Sequence, residues 1–411
     1  SAIANAENNE GADIDDASDA LVTWRNAASG STGVAVHEHS SIFGAKVPVV
    51  AGSNAITFTL TNAAGERTSK TVTATVGHFA YAFAEGATGP FFDLDVTVFN
   101  PNLAPTPFDV TFLTPGGALG PKSYVLSPRS RLRIPVESLA NEFPALADSA
   151  VSTVVTSTKG TPLVTERAMF WDAARYGGHA GNAAPEASGW WMFAEGSQGF
   201  FDTFVLLANA TPSPATVKVS FLLEDGPPVT RTYTVPPHSR FNVWAAGIPE
   251  LSNRSFGITV DSSVPITAER AMYFSGASAR QFEGGHESAG VTSGAREWFF
   301  AEGATGPYFD TYILVSNPNT TSVPVTFTYR TGSGTVVTKQ LTAGPRSRVT
   351  VNVETHNPAL SDVAVSTTVS APSTGRAMSC RKWAASAPFW DFSSAMRRAK
   401  GPGSSVSFGT S

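Results

Sequence analysis

The stretch FAEGATGPFFD, residues 83–93, is written again as FAEGSQGFFD at 193–202 and as FAEGATGPYFD at 300–310. The spacing of about 110 residues suits a self-sufficient domain rather than a solenoid repeat of about 20–50 residues. Working outward, each phrase ends in an Asp (Asp93, Asp202, Asp310), and an Asn follows seven positions later (Asn100, Asn209, Asn317). Alternating runs come next: FDVTFLT at 108–114, VKVSFLL at 217–223 and VTFTYRT at 325–331. A turn with a Ser-Arg pair follows at Ser130–Arg131, Ser239–Arg240 and Ser347–Arg348. Each copy closes on Arg-Ala-Met, with Arg167, Arg270 and Arg376.

Within these runs apolar residues alternate with Thr, Ser and Lys. Val217, Val219 and Phe221 share one side, and Lys218 and Ser220 share the other. A period of two is that of a half-buried strand. No window sustains a helical period with caps. Each copy is therefore predicted to be a β-sandwich of about seven strands. The expected fold class is all-β: four tandem β-sandwich (Ig-like) domains, the last three being internal repeats. The expected boundaries are an Ig-like sandwich at 1–78 and repeats at 79–175, 190–276 and 297–383. Linkers are expected at 176–189 and 277–296, with a C-terminal tail at 384–411 as a possible intersubunit strand.

Bulk properties exclude several function classes. Of 411 residues only 15% are charged, and the net charge is −5 with no long run of one sign. Nucleic-acid binding is not expected, because phosphate contacts need a clustered basic surface. The single cysteine, Cys380, precludes an intramolecular disulfide and a CxxC metal site. No stretch reaches the roughly 20 apolar residues of a membrane-spanning helix. The N-terminus shows no basic-then-apolar leader, so Ser1 is read as a processed end or the edge of a fragment.

The phrases WFFAEGATG, FDTYILVSNPN, PRSRVTVNV, ALSDVAVSTTV, ITAERAMYF and GGHESAGVTS together resemble the FAEG-type tandem β-sandwich repeats of large exported bacterial proteins. The resemblance covers residues 80–383 and implies an extracellular or cell-surface setting. It supplies no catalytic residues. Residues 20–76, with AITFTLT between two turns, are similar to the small Ig-like modules of bacterial surface proteins and secreted enzymes.

The repeated acids could do glycosidase chemistry only as a carboxylate pair about 5–9 Å apart in a cleft. A site repeated three times beside three full scaffolds reads better as a folding device. Glu85, Glu195 and Glu302 are predicted to be buried, each held by a guanidinium fork from Arg167, Arg270 and Arg376 respectively. The Asn seven beyond each Asp is expected to close an Asx-turn. Asp13, Asp15, Asp16 and Asp19 form the best calcium candidate, but lack the glycine and distal Glu of an EF-hand loop; a solvated acidic loop is the plainer reading.

His37 and His39 share a strand face, and His179 and His286 occupy equivalent Gly-Gly-His phrases. Without a third ligand or HExxH spacing they are read as surface or turn histidines. The Ser-Arg turns could bind an anion, although such turns more often hydrogen-bond their own backbone. Trp190, Trp191 and Trp298 are expected to fill junctions between units. Trp171, Trp244 and Trp383 are candidate sugar platforms. No cofactor is expected. The favoured function is a non-catalytic extracellular structural protein, a subunit of a homopolymeric filament, stalk or surface layer. The alternatives are a carbohydrate-binding or adhesive module, or an arm of a secreted enzyme.

Overall fold

The computed structural model describes residues 20–39, 42–49, 52–76, 79–184, 186–275, 280–372 and 379–386. The chain is all-β; among the described residues the helical segments, such as Val353–His356, are single turns between strands. The N-terminal module contains β1 (Leu21–Asn26), β2 (Thr32–Val34), β3 (Val36–His39), β4 (Ile42–Gly44), β5 (Gly52–Thr61) and β6 (Arg67–Val76). They form one four-stranded sheet, ordered β2-β1-β5-β6, and a β3-β4 ribbon. Among the described residues of the expected Ig-like sandwich at 1–78, these strands make one sheet and a hairpin. Val22, Trp24, Ala35 and Ile56 are its buried apolar side chains, and among the described residues β2 and β6 are the edge strands.

The first repeat contains β7 (Ala80–Phe83), β8 (Ala87–Thr88), β9 (Phe92–Phe99), β10 (Thr106–Thr114) and β11 (Gly117–Leu126). It continues with β12 (Arg131–Pro135), β13 (Ser149–Ala150), β14 (Ser152–Ser157), β15 (Val164–Trp171) and β16 (Gly177–Asn182). A front sheet, β11-β10-β14-β7, packs on a back sheet, β12-β9-β15-β16. Alternation along β9 sends Leu94, Val96 and Val98 inward, where they meet Phe108, Val110 and Phe112 of β10.

The second repeat contains β17 (Ser188–Phe193), β18 (Phe201–Asn209), β19 (Ala215–Leu223), β20 (Val229–Val235) and β21 (Ser239–Trp244). It ends with β22 (Phe256–Phe274) and β23 (Gly284–Ala289). The long β22 belongs to both sheets: its first half pairs with β17 and β19, its second with β18 and β23. In the first repeat a turn containing Gly160 and Pro162 splits the same path into β14 and β15. The third repeat contains β24 (Glu297–Phe300), β25 (Phe309–Asn317), β26 (Val323–Thr331), β27 (Val336–Ala343), β28 (Ser347–Asn352), β29 (Val365–Ser370) and β30 (Ser379–Ser386). Its sheets are β24-β29-β26-β27 and β28-β25-β30.

The expected linkers are corrected in part. Residues 177–182 are β16, paired with β15 of their own repeat, and 284–289 are β23, paired with β22. Beyond them Ala184 bridges to Ala82 on β7, and Val291 bridges to Met192 on β17. Each Gly-Gly-His segment therefore adds a strand beside the last long strand of its own repeat and then crosses the flank of that sandwich. Residues 384–386 of the expected tail complete β30 against β25; residues 387–411 lie outside the described residues.

One buried asparagine organises each repeat. Asn100 Nδ2 donates to the carbonyls of Ala104 and Leu126 at 2.9 and 3.0 Å, while its Oδ1 accepts the Asn102 amide at 3.0 Å. Asn209 and Asn317 make the same set. The Asx-turn also pins the neighbouring hairpin, so all of the buried amide's hydrogen-bonding groups are used.

Candidate functional site

The first two FAEG phrases sit where one sandwich meets the next. Phe83 ends β7 in the core, and the chain then turns at Glu85 and Gly86. The flank between β7 and β16 is closed by the outer face of the second repeat's back sheet. Leu206, Ala208, Ala271 and Tyr273 of that face belong to the first repeat's apolar cluster. Tyr312 and Leu314 of the third repeat pack on Ala194 in the same way. The strand period explains this: Val205 and Leu207 fill their own sandwich, while Leu206 and Ala208 point at the neighbour.

A charge cluster is buried in the first junction. Arg167 Nη1 donates to the Glu85 carbonyl at 2.9 Å, to Glu85 Oε2 at 3.1 Å and to Glu269 Oε2 at 3.2 Å. Its Nη2 lies 2.8 Å from Glu287 Oε1. The Glu85 amide donates to Glu269 at 2.7 Å, and the Tyr273 hydroxyl donates to Glu85 Oε1. His179 Nε2 lies 3.3 Å from Glu85 Oε2. From the next repeat, Arg240 Nη1 donates to the Gly86 carbonyl at 2.6 Å.

The second junction repeats part of this set. Arg270 Nη2 donates to Glu195 Oε2 at 2.8 Å, and His286 Nε2 lies 3.3 Å from Glu195 Oε1. Arg348 Nη1 donates to the Gly196 carbonyl at 2.7 Å and to the Phe256 carbonyl at 3.2 Å.

The electrostatics follow from burial. Burial alone would raise the Glu85 pKa, but His179 and Arg167 outweigh it and hold the carboxyl down at about 2. Glu269 goes the other way. Burial pushes it up, the attraction of Arg167 opposes that, and the charge of Glu287 adds to the rise. Burial lowers Arg240 to about 10, so it still carries its charge at neutral pH.

Glu85, Glu269 and Glu287 bring carboxylate oxygens within 4.8 Å of one another, a metal-like spacing. Arg167 contacts all three and supplies the positive charge that a cation would bring. Fit is close: a Cβ on Gly181 would come 1.6 Å from Glu287 Oε1, and one on Gly257 would come 1.8 Å from Ser316 Oγ of the third repeat. Two Gly positions in the junctions thus answer to the neighbouring repeat.

The structure brings together Glu85 with Arg167, and Glu195 with Arg270. The expected bidentate fork is corrected in the first: one nitrogen of Arg167 serves Glu85 and the other goes to Glu287. Arg376 lies outside the described residues, as do Asp13, Asp15, Asp16 and Asp19, and so do the side chains of His37, His39 and Trp383. Glu302 is exposed. The expected junction tryptophans are corrected. Trp191 is buried in the core of its own repeat, where its Nε1 donates to the Ile266 carbonyl at 2.9 Å, and Trp298 packs on the core of the third. Trp190 is half-buried on β17. Trp171, read as a sugar platform, is fully buried in the first junction and donates to the Phe282 carbonyl at 2.6 Å.

The Ser-Arg turns divide by residue. The serines bond their own turn, as with Ser239 Oγ to the Pro236 carbonyl at 2.8 Å, while Arg240 and Arg348 clamp the preceding repeat. His179 and His286 are corrected from surface or turn residues to neighbours of the FAEG glutamates. Their recurrence in Gly-Gly-His phrases was the available signal. Glu269, Glu287 and Tyr273 were missed. They differ from their counterparts in the first repeat, Glu166 alone being shared, and only docking gives them a role.

No family model matches the chain, and neither does any curated protein. Among solved structures, Thermotoga maritima 1070 is similar at 17% identity over 26% of this chain and 94% of that one, with a TM-score of 0.24. The Anabaena sensory rhodopsin transducer is 25% identical over 20% of this chain and 95% of its own, with a TM-score of 0.19. A tetra-tandem repeat in the extending region of a large adhesion protein is 12% identical over 89% and 91%, with a TM-score of 0.14. At such TM-scores the likenesses carry no weight for fold or function.

Proposed function

We propose that this chain is a non-catalytic structural protein of the cell surface, a subunit of a filament, stalk or layer whose repeats hold a fixed relation to one another. One observation carries the reading: the FAEG turns of the first two repeats are taken up by contacts to the next repeat. Glu85 and Glu195 are buried beside arginines, and the Gly carbonyl after each is clamped by Arg240 or Arg348. An acid enclosed in this way has no open cleft in which to meet a substrate. The arginine of the next repeat on the glycine carbonyl holds two sandwiches in one orientation, because a guanidinium buried in a junction is costly to leave without its acceptor.

The reading is tested by protease shaving and antibody labelling of intact producing cells. Accessible protein is the expected result, and protein reached only after lysis overturns it. A second reading, glycan adhesion, has its own observation. Trp244 is 52% exposed and lies parallel to Phe204, with ring centroids 6.3 Å apart. A flat exposed aromatic suits stacking on a sugar face. Glycan-array binding by the intact chain that disappears in Trp244→Ala supports that reading; binding unchanged by the substitution removes it.

A further inference from the structure

We propose that copies of this chain join head to tail by repeating the internal junction between them, with Arg131 of one copy seated against the Glu302–Gly303 turn of another. The inference rests on the structural reading above and names the partner as a second copy of this chain. Each internal junction has two halves. The receiving half is a FAEG turn with its glycine carbonyl, joined in the first junction by the aromatic pair Phe91 and Phe92, which meets Phe282 beyond β22. The seating half is the outer face of the next repeat's back sheet, with the arginine of its Ser-Arg turn. The two junctions use neither the receiving half of the third repeat nor the seating half of the first.

Both leftovers are presented at the surface. In the third repeat Glu302 is exposed, whereas Glu85 and Glu195 are buried. Tyr308 is 50% and Phe309 40% exposed, whereas Phe91 and Phe92 of the first repeat are half-buried against Phe282. In the first repeat Arg131 is exposed, whereas its counterparts Arg240 and Arg348 are fully buried. Glu166 is exposed there too, whereas its counterpart Glu269 is buried. The N-terminal module leaves Arg131 in solvent.

The receiving geometry is already in place. The Gly303 carbonyl accepts the Val365 amide at 2.8 Å, as Gly86 accepts Val151 and Gly196 accepts Phe256, each at 2.9 Å. A carbonyl oxygen has a second lone pair, and in Gly86 and Gly196 an arginine of the next repeat uses it. Charge also matches. Arg129 and Arg131 are exposed on the seating side, where Arg133 is paired with Asp95 at 2.7 Å; in the third repeat Glu302 and Asp362 are exposed, and Glu354 lies half-buried near Asp362. The seating face of the first repeat is more polar than that of the second, with Asp95 and Thr97 where Phe204 and Leu206 stand. The contact between copies is therefore weaker than the internal junctions, reversible and sensitive to salt. A heterologous contact of this kind continues into an open chain.

Sedimentation velocity of the full chain across a concentration series at low ionic strength tests this. The expected result is a ladder of oligomers that shrinks as salt is raised. Arg131→Glu and Phe309→Arg both change exposed residues and are expected to fold with unchanged melting. Each variant alone should be monomeric, and their equimolar mixture should stop at dimers, because one retains a receiving half and the other a seating half. A monomeric wild-type chain overturns the proposal, and so does a ladder unaffected by both variants. A ladder lost only on deletion of residues 387–411 overturns it in favour of assembly through the tail. None of these failures bears on surface exposure, which the labelling of intact cells decides separately.

Discussion

The two internal junctions are built on one plan and charged differently. In the first, Arg167 faces three carboxylates, two of them from the second repeat. In the second, Arg270 meets Glu195 of its own repeat, and the position corresponding to Glu269 is Gly375. What stays constant is the clamp, an arginine of the following repeat on the glycine carbonyl of the FAEG turn. A backbone acceptor needs only one donor at one distance, so it survives divergence of the side chains around it. A buried cluster needs every member's charge balanced by its neighbours. The comparison separates a general coupling from an added, specific one.

The sharpest way to break the comparison is to remove the guanidiniums. Arg167→Ala leaves Glu85, Glu269 and Glu287 buried together and is expected to cost about 3–5 kcal/mol in denaturant unfolding of the first two repeats. Arg270→Ala should fall at or below the lower end of that range. Equal losses would show that the extra carboxylates are not coupled to Arg167. Next in size are Arg240→Ala and Arg348→Ala, each removing a charged donor from a buried carbonyl. Losses of roughly 1.5–3 kcal/mol are expected, similar for both because the clamp is shared. Clearly unequal losses would mean that the surrounding charges, rather than the clamp, set its strength.

The smallest expected effect concerns pH. The raised pKa of Glu269 means that the folded state holds its proton more tightly than the unfolded chain. Its contribution is present in acid and diminishes as pH rises past the ordinary carboxylate value. Glu269→Gln removes that loss, so the variant's melting temperature should match wild type near pH 4 and exceed it increasingly toward neutrality. Glu85, held at about 2, acts in the opposite sense, and its contribution falls away as pH drops from its ordinary 4.5 to that value. A melting difference for Glu269→Gln that is flat across pH would contradict the assignment.

Much of the fold could be read from local pattern. The alternation along 217–221 places its side chains on two faces whatever the neighbours are, and Asn100, Asn209 and Asn317 act within a few residues of chain and one hairpin. Glu85 and Arg167 could be matched because both lie at fixed places in one repeat. Strands β16 and β23 escaped because Gly-Gly-His segments have weak strand propensity, and it is pairing with β15 and β22 that makes them strands. Trp171 and Trp191 escaped for a related reason: proximity along the chain to a unit end does not say which core a large ring enters. The sequence by itself determined the period, the repeat and the buried acid–base pair, since these depend on side-chain order along one strand path. Only the tertiary structure decided that Glu269, Tyr273, Glu287 and Arg240 converge on the preceding repeat, because the outward face of a sheet acquires a partner only when another domain is laid against it.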